Sequence, residues 1–290
     1  MNKSEILISW IIIGKNWGTE SNQLIESLNT QNFNPKLVEL IIIDDCSNDE
    51  SIKSLNNIKF GNKKIIELQT PSGRCAARNH GINLATGKFC LFTNSNTLPT
   101  TDFLDIYIKI LSKADPDVAA GEYDYLCLEN SFGKYLNNSK RGLKSIRLNQ
   151  APPIEYMLFG NCAVKTELLN SVNGFNEKLT GYGGEEFELL NRITKIKKLK
   201  LMKVAANVIR MNHPDIQNHI LRLIEFGSTN FKELPLDIQY KIIPRKILQW
   251  SNFIPVCIIY PFLLRIVSFI PNTQLIRILM GFSILRGYKS

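Results

Sequence analysis

The sequence predicts an α/β fold on an open, mostly parallel sheet flanked by helices, followed by a C-terminal amphipathic helical tail. Three observations carry that prediction. Short β-branched runs (ISWIII, VELIII, KFCLF) are apolar almost throughout, as parallel strands covered on both faces are. Segments of helical periodicity alternate with them at short spacings, which argues crossover connections. Each run ends in polar residues, and in such sheets ligands bind beyond the carboxyl ends of the strands.

In chain order, 6–13 is the first strand, ending at Gly14. Glu5 precedes it and no small-residue cleavage site follows, so it reads as a buried strand and not as a signal peptide. A helix follows over 23–28, then a second buried strand over 38–43, stopped by Asp44 and Asp45. The polar stretch DDCSNDES leads into a short helix near 52–55, a third strand over 64–68, and a helix over 74–84. A fourth strand over 88–92 is closed by TNSNTLP. Further helices are expected over 102–111 and 185–196. The chain divides into 1–99 and 100–232, two halves of one domain, and 233–290, the tail.

The 290 residues suffice for a sizeable core, and 44% hydrophobic with 21% charged is an ordinary globular balance. The net charge of +9 is concentrated in the tail: residues 241–290 hold seven basic residues and no acid, leaving 28 basic against 26 acidic residues before them. Six scattered cysteines without a C-x-x-C pair read as reduced, mostly buried thiols in a cytoplasmic setting.

In the tail, Ile258, Ile259, Phe262, Leu263, Ile266, Val267 and Ile270 fall on one helical stripe. Leu275, Ile276, Ile278, Leu279, Phe282 and Leu285 form a second, with Trp250 and Tyr260 as interfacial aromatics. Arg265, Pro255 and Pro261 interrupt the span that crossing a bilayer would need. A helix pair lying on an anionic membrane surface through 245–290 is expected, with packing on the domain or in a dimer as the other reading. Positive charge interleaved with large aliphatics does not suit nucleic acid.

Four groups of residues have chemistry to offer. Asp44, Asp45 and Ser47 end a strand, where they suit caps or recognition of a ring N–H. Arg74 and Arg78 lie one helical turn apart and suit phosphate or structural ion pairs. GGEE, Gly183 to Glu186, reads as a helix start with dipole-favoured acids, and also as a glycine approach to a ligand beside a general base. His213 reads as structural or as a metal ligand.

In their order, ISWIIIGKN, LIESLNTQ, ELIIIDDCSNDES, GRCAARNHGINLATGKFCLFTNSNTLP and GNCAVKTELLNSVNGFNEKLTGYGGEEFELLNR resemble family 2 glycosyltransferases of the GT-A fold. The second half is similar to galactosyl- and N-acetylhexosaminyl-transferases with G-W-G-G-E-D. The resemblance runs over about residues 6–213, and it implies that 1–99 is a nucleotide-sugar-binding half and 100–232 an acceptor-binding, catalytic half of one GT-A domain. It implies inverting transfer from a UDP-sugar (galactose, glucose or an N-acetylhexosamine) to a glycan or lipid-linked acceptor, in surface polysaccharide synthesis on the inner face of the cell membrane. It implies Glu186 as base, with Glu185 beside it on sugar hydroxyls. Asp45 would take the uracil N–H and Arg74 the uracil or diphosphate. Gly14, Asn16, Gly183 and Gly184 would line the nucleotide-sugar site, and Arg78 with Asn79 would brace the loop of the D-x-D position.

That position reads Asn94-Ser95-Asn96, and the first-strand loop has Gly14-Lys15 where Pro-Thr is common. Two amides supply oxygens but no charge to a divalent ion. Three readings follow: Mn²⁺ or Mg²⁺ held by diphosphate, Asn96 and His213; a metal-independent enzyme using Arg or Lys; or a catalytically silent homologue that binds glycan or nucleotide for an assembly complex.

Overall fold

The computed structural model describes residues 6–18, 21–49, 51–148, 150–250, 256–270 and 272–290. Its centre is a seven-stranded sheet in the order β3-β2-β1-β4-β8-β6-β9. The four parallel strands are β1 (Ile8–Gly14), β2 (Val38–Asp44), β3 (Lys63–Glu67) and β4 (Phe89–Asn94). The sequence runs mark each of them to within two residues. The remaining strands are β6 (Val118–Ala120), β8 (Asn161–Lys165) and β9 (Leu201–Lys203). Of these, β8 is antiparallel to both β4 and β6. A smaller sheet, in the order β5-β10-β7, joins β5 (Thr97–Pro99), β10 (Val208–Arg210) and β7 (Tyr123–Tyr125) beyond the end of β4.

Burial on both faces explains why β1 and β2 read as continuous apolar runs. Ile11, Ile13, Ile41 and Ile43 enter one core layer, and Ile8, Trp10, Ile12, Leu40 and Ile42 the other. Helix Ser21–Asn29 lies over one face, and helix Gly73–Leu84 packs on β1 and β2. The register pairs Gly14 with Asp44, and Ile13 with Asn94, so the three expected strand ends lie side by side.

The tail departs from its expected disposition. Helix Thr273–Lys289 packs along helix Ile216–Ser228, burying Ile276, Leu279, Met280, Ile284 and Leu285. Two glycines make that closeness possible: a Cβ on Gly287 would meet the Ile224 carbonyl oxygen at 1.9 Å, and one on Gly227 the Ile284 oxygen at 2.1 Å. Most of its apolar stripe is therefore spent on the domain, with Ile278 left exposed. Helix Val256–Phe269 runs through Pro261 without ending there, and leaves Ile258, Phe262, Phe269 and the following Ile270 exposed. Pro255, Pro271 and the Trp250 side chain lie outside the described residues. No helix among the described residues is long and apolar enough to cross a membrane. The cysteines are free, as expected, but Cys257 is exposed and Cys46 and Cys127 are half-buried, so only Cys75, Cys90 and Cys162 are core thiols.

Candidate active site

A cavity of about 620 Å³ opens at the carboxyl ends of β1, β2 and β4. It gathers Gly14, Asn16, Asp45, Arg74, Asn94, Ser95, Asn96, Gly183, Glu185, Glu186 and His213, nearly every residue singled out in the sequence. Gly184 sits one residue behind the wall.

The base of the cavity is built from loops that bind one another. Asp44 is buried and accepts the Trp17 indole N–H at 2.6 Å and the Ser47 amide at 2.8 Å, so the first aspartate is structural. Asp45 accepts the Ser72 amide at 2.6 Å, the Ser72 hydroxyl at 2.9 Å and the Gly73 amide at 3.0 Å. It thus caps helix Gly73–Leu84 from a different loop, as its own lead-in residue Ser72 does not. Asn16 ties the first two strand-end loops: its amide donates to Ser47 Oγ, and its side-chain oxygen accepts from the Asn48 amide. Gly14 is required by crowding, since a Cβ there would lie 2.7 Å from Ser95 Cβ and 2.8 Å from the Trp17 ring.

The acids stand on the opposite wall. Gly183 and Gly184 take φ of +77° and +86°, a left-handed pair that launches helix Glu185–Thr194. Glu185 is 2% exposed. Arg78, equally buried, places Nη1 3.4 Å from Glu185 Oε1 and Nη2 3.4 Å from Glu186 Oε1. Arg74 adds a looser contact to Glu185 at 3.6 Å and lies over the Tyr182 ring. Burial, and then the adjacent Glu185, raise the Glu186 carboxyl above the usual carboxylate range, against the opposing Arg78 and Arg74 charges. Glu185 Oε2 and Arg78 Nε are buried without a hydrogen-bond partner.

This corrects the bracing role expected of Arg78 and Asn79. Arg78 orders the two glutamates, while Asn79 bonds the Phe175 amide and carbonyl and the Glu177 carboxylate. Neither is bonded to the Asn94–Asn96 loop. That loop is held by Thr97 Oγ1 on the Asn94 backbone, by Ser95 N on the Ile13 carbonyl, and by Met211 N on the Asn96 carbonyl.

Asn94, Asn96 and His213 do not fit a divalent ion by themselves. They offer two amide oxygens and one imidazole, all neutral, and no cluster of three His, Cys, Asp or Glu suited to a metal occurs among the described residues. His213 Nδ1 is already 2.9 Å from the Pro214 carbonyl oxygen. Burial, followed by the Arg210 charge, lowers the His213 pKa to about 4.

Sequence reasoning missed part of this cavity: Arg141, Arg210, Arg222, His219, Tyr123, Tyr125 and Tyr182 also line it. His219 stacks on His213 and Phe132 instead of facing solvent, and burial lowers its pKa to about 3. A second cavity of about 510 Å³ shares Tyr123, Tyr125, Leu136, Arg141 and Leu158 with the first, and the tail closes it with Thr273, Gln274 and Arg277.

Residues 9–172 match the model of glycosyl transferase family 2, more than half of the chain. The chain belongs to glycosyl transferase family 2. Within that family its second half, residues 146–216, also matches the N-terminal domain of galactosyltransferase. An uncharacterised family glycosyltransferase of Haemophilus influenzae is 33% identical over 137 residues, 47% of this chain and 54% of that protein. The chain therefore spans about half of that relative. Staphylococcus aureus TarS, a poly(ribitol-phosphate) β-N-acetylglucosaminyltransferase, is 35% identical over 78 residues, 26% of this chain and 13% of TarS.

Among solved structures, TarS 1–349 in complex with UDP-GlcNAc superposes with a TM-score of 0.57 at 16% identity, covering 98% of this chain and 91% of that one. The mannosyltransferase PcManGT from Pyrobaculum calidifontis, in complex with GDP-Man and Mn²⁺, gives 0.62 at 15% identity, covering 97% and 86%. At such identities these likenesses establish the fold alone, and it is the GT-A fold expected from the sequence.

Proposed function

We propose that this family 2 chain is an inverting glycosyltransferase that moves a sugar from a nucleotide-diphosphate donor to a glycan or lipid-linked acceptor. The observation that carries the reading is the Arg78-ordered glutamate pair facing the strand ends across one cavity. Asp45, Asn16 and Gly14 bound the nucleotide end. Arg74 reaches from the helix Gly73–Leu84 towards the middle of the donor. Glu186 takes the proton of the acceptor hydroxyl as that oxygen attacks the anomeric carbon, and its raised pKa makes it a stronger base than an ordinary carboxylate. Glu185, locked by Arg78, orients sugar hydroxyls through its unpartnered Oε2.

A uridine donor carrying galactose, glucose or an N-acetylhexosamine is the reading favoured by the resemblance of the second half, and by the UDP-GlcNAc that the TarS structure binds. Acceptor entry is assigned to the second cavity, which adjoins the first at Tyr123 and Leu158. The exposed Ile258, Phe262, Phe269 and Ile270, with Arg265 among them, support contact with the anionic inner face of the membrane, where lipid-linked acceptors of surface polysaccharide synthesis lie.

Transfer or hydrolysis of a panel of UDP-sugars by wild type and Glu186→Gln tests the reading. Loss of about 10²–10⁴-fold in kcat is expected of a missing general base. Unchanged turnover would remove Glu186 from that role. Nucleotide binding with no turnover across the panel would favour the catalytically silent homologue.

A further inference from the structure

We propose that Arg141, Arg210 and Arg222 hold the donor diphosphate in this chain, in place of a divalent ion. The inference rests on the nucleotide-sugar reading of the main cavity and deepens it.

The three side chains line the cavity that contains Asn94, Ser95 and Asn96. They come from three separate parts of the fold: the 137–142 turn, β10 and helix Ile216–Ser228. Arg210 is the nearest in topology. It pairs with Thr97 across β5 and β10, one residue from Asn96, and the neighbouring Met211 amide donates to the Asn96 carbonyl. Its Nε is buried with no hydrogen-bond partner.

What separates these arginines from the others in the cavity is their lack of counter-charge. Arg74 and Arg78 are matched to Glu185 and Glu186, and Asp45 is occupied by the Ser72 and Gly73 amides. None of Arg141, Arg210 and Arg222 forms an ion pair with a carboxylate among the described residues. Two of them are held by aromatic planes instead: Arg141 lies over Tyr135 at 4.8 Å and Tyr125 at 6.0 Å, and Arg222 over Tyr182 at 5.8 Å. Arg141 Nη1 also donates to the Leu136 carbonyl at 3.4 Å, and stacking otherwise fixes a guanidinium by its face, which leaves in-plane N–H donors for an anion.

The site is thus inverted from one that holds a cation. The carboxylates expected at the D-x-D position are amides, and the surplus charge beside them is positive. Burial is the first cause of the lowered proton affinity of His213 and His219, and the Arg210, Arg141 and Arg222 charges add to it. A divalent ion placed there would meet that repulsion without a compensating acid. A diphosphate meets forked donors that match its oxygens and stay protonated at any working pH. Those donors also stabilise the charge that develops on the leaving group.

The test is calorimetric titration of the full chain with UDP and with uridine, in EDTA and in MnCl₂, for wild type, Arg210→Gln and Arg222→Gln. UDP affinity is expected to agree within about twofold between EDTA and Mn²⁺. Each variant should lose about 10- to 100-fold in UDP affinity, the worth of a charge-assisted hydrogen bond, with uridine affinity unchanged. Arg222 is exposed, so its variant keeps the test readable if Arg210→Gln fails to fold. UDP binding that requires Mn²⁺, or variants that bind UDP as wild type does, would overturn the proposal and leave the nucleotide-sugar reading standing. Binding of neither UDP nor uridine by wild type would bring down both.

Discussion

Arg78 sets its two terminal nitrogens 3.4 Å from Glu185 and 3.4 Å from Glu186, so one buried guanidinium fixes the spacing of both acids. The faces of Phe175 and Phe159 hold it in turn, at 5.1 Å and 6.0 Å. Arg78 belongs to helix Gly73–Leu84, which also receives the Asp45 cap, so that helix links the strand-end loops to the two glutamates on helix Glu185–Thr194.

Removing that guanidinium strands a carboxylate. Arg78→Met leaves the buried Glu185 with only the looser Arg74 contact at 3.6 Å, and loss of one partner of a buried pair costs about 3–5 kcal/mol. Urea denaturation should show that loss. Adding Glu185→Gln should recover a good part of it, since the double variant leaves only the half-buried Glu186 without its Arg78 partner. A double variant no more stable than Arg78→Met would show that the arginine acts by packing alone.

Glu186 carries a sign that separates function from stability. Its folded-state pKa is raised, so the carboxyl favours folding below its unfolded value, and that contribution is lost as pH rises through the folded value. Glu186→Gln should therefore match or exceed wild type in thermal stability at pH 8, with the difference shrinking towards pH 4. Wild-type kcat/KM should rise with pH through an ionisation above the ordinary carboxylate range. A variant less stable than wild type at pH 8 would contradict the raised pKa.

The parallel half of the fold was legible because β1, β2 and β4 are buried on both faces and closed by polar residues, which leaves a strong local pattern, while the half-buried β3 forms the edge of the sheet. The strands β6, β7, β9 and β10 were not, for a physical reason: each is three residues long, and its pairing partners are distant in sequence. Glu185 and Glu186 could be found by their place after two glycines. Arg141, Arg210 and Arg222 carried no local signal, because what brings them together is the small sheet and the helix behind it. His219 carried no local signal either, since only tertiary packing on His213 and Phe132 turns its side of the helix inward.

Asp45 caps a helix, and the proposed function gives it a second duty that one substitution can separate from the first. Asp45→Asn keeps an acceptor for Ser72 but loses the charge facing the Gly73–Leu84 helix start, at a cost of about 1 kcal/mol. If the same carboxylate also receives the base, uridine affinity falls beyond what reduced folding explains. Calorimetry on the folded variant reads this directly. Full uridine affinity with lowered stability would assign Asp45 to capping alone.

The tail is attached through backbone contact, which makes it sensitive to a single methyl group. Gly287→Ala would drive a Cβ into the Ile224 carbonyl and pry helix Thr273–Lys289 from helix Ile216–Ser228. Overpacking of this kind costs about 1–3 kcal/mol. Amide exchange should speed up across both helices in the variant, and unaltered protection there would place the contact elsewhere.

The membrane reading now falls on one helix. Ile276, Leu279 and Leu285 of the Thr273–Lys289 stripe are buried and Ile278 alone of it is exposed, whereas Ile258 is 70% exposed, Phe262 65% and Phe269 76%. These three gain nothing from the folded domain, so replacing them with serine should leave the thermal midpoint within a few degrees of wild type. Each apolar side chain moved into the headgroup boundary contributes about 1.5–3 kcal/mol. The triple variant Ile258→Ser/Phe262→Ser/Phe269→Ser should therefore lose flotation with vesicles rich in anionic lipid. Arg265→Gln should weaken it only at low salt, because screening removes the electrostatic share. Truncation before the tail would not make this distinction, since it also strips the buried face from helix Ile216–Ser228. Flotation of the triple variant equal to wild type would place the membrane contact outside this helix.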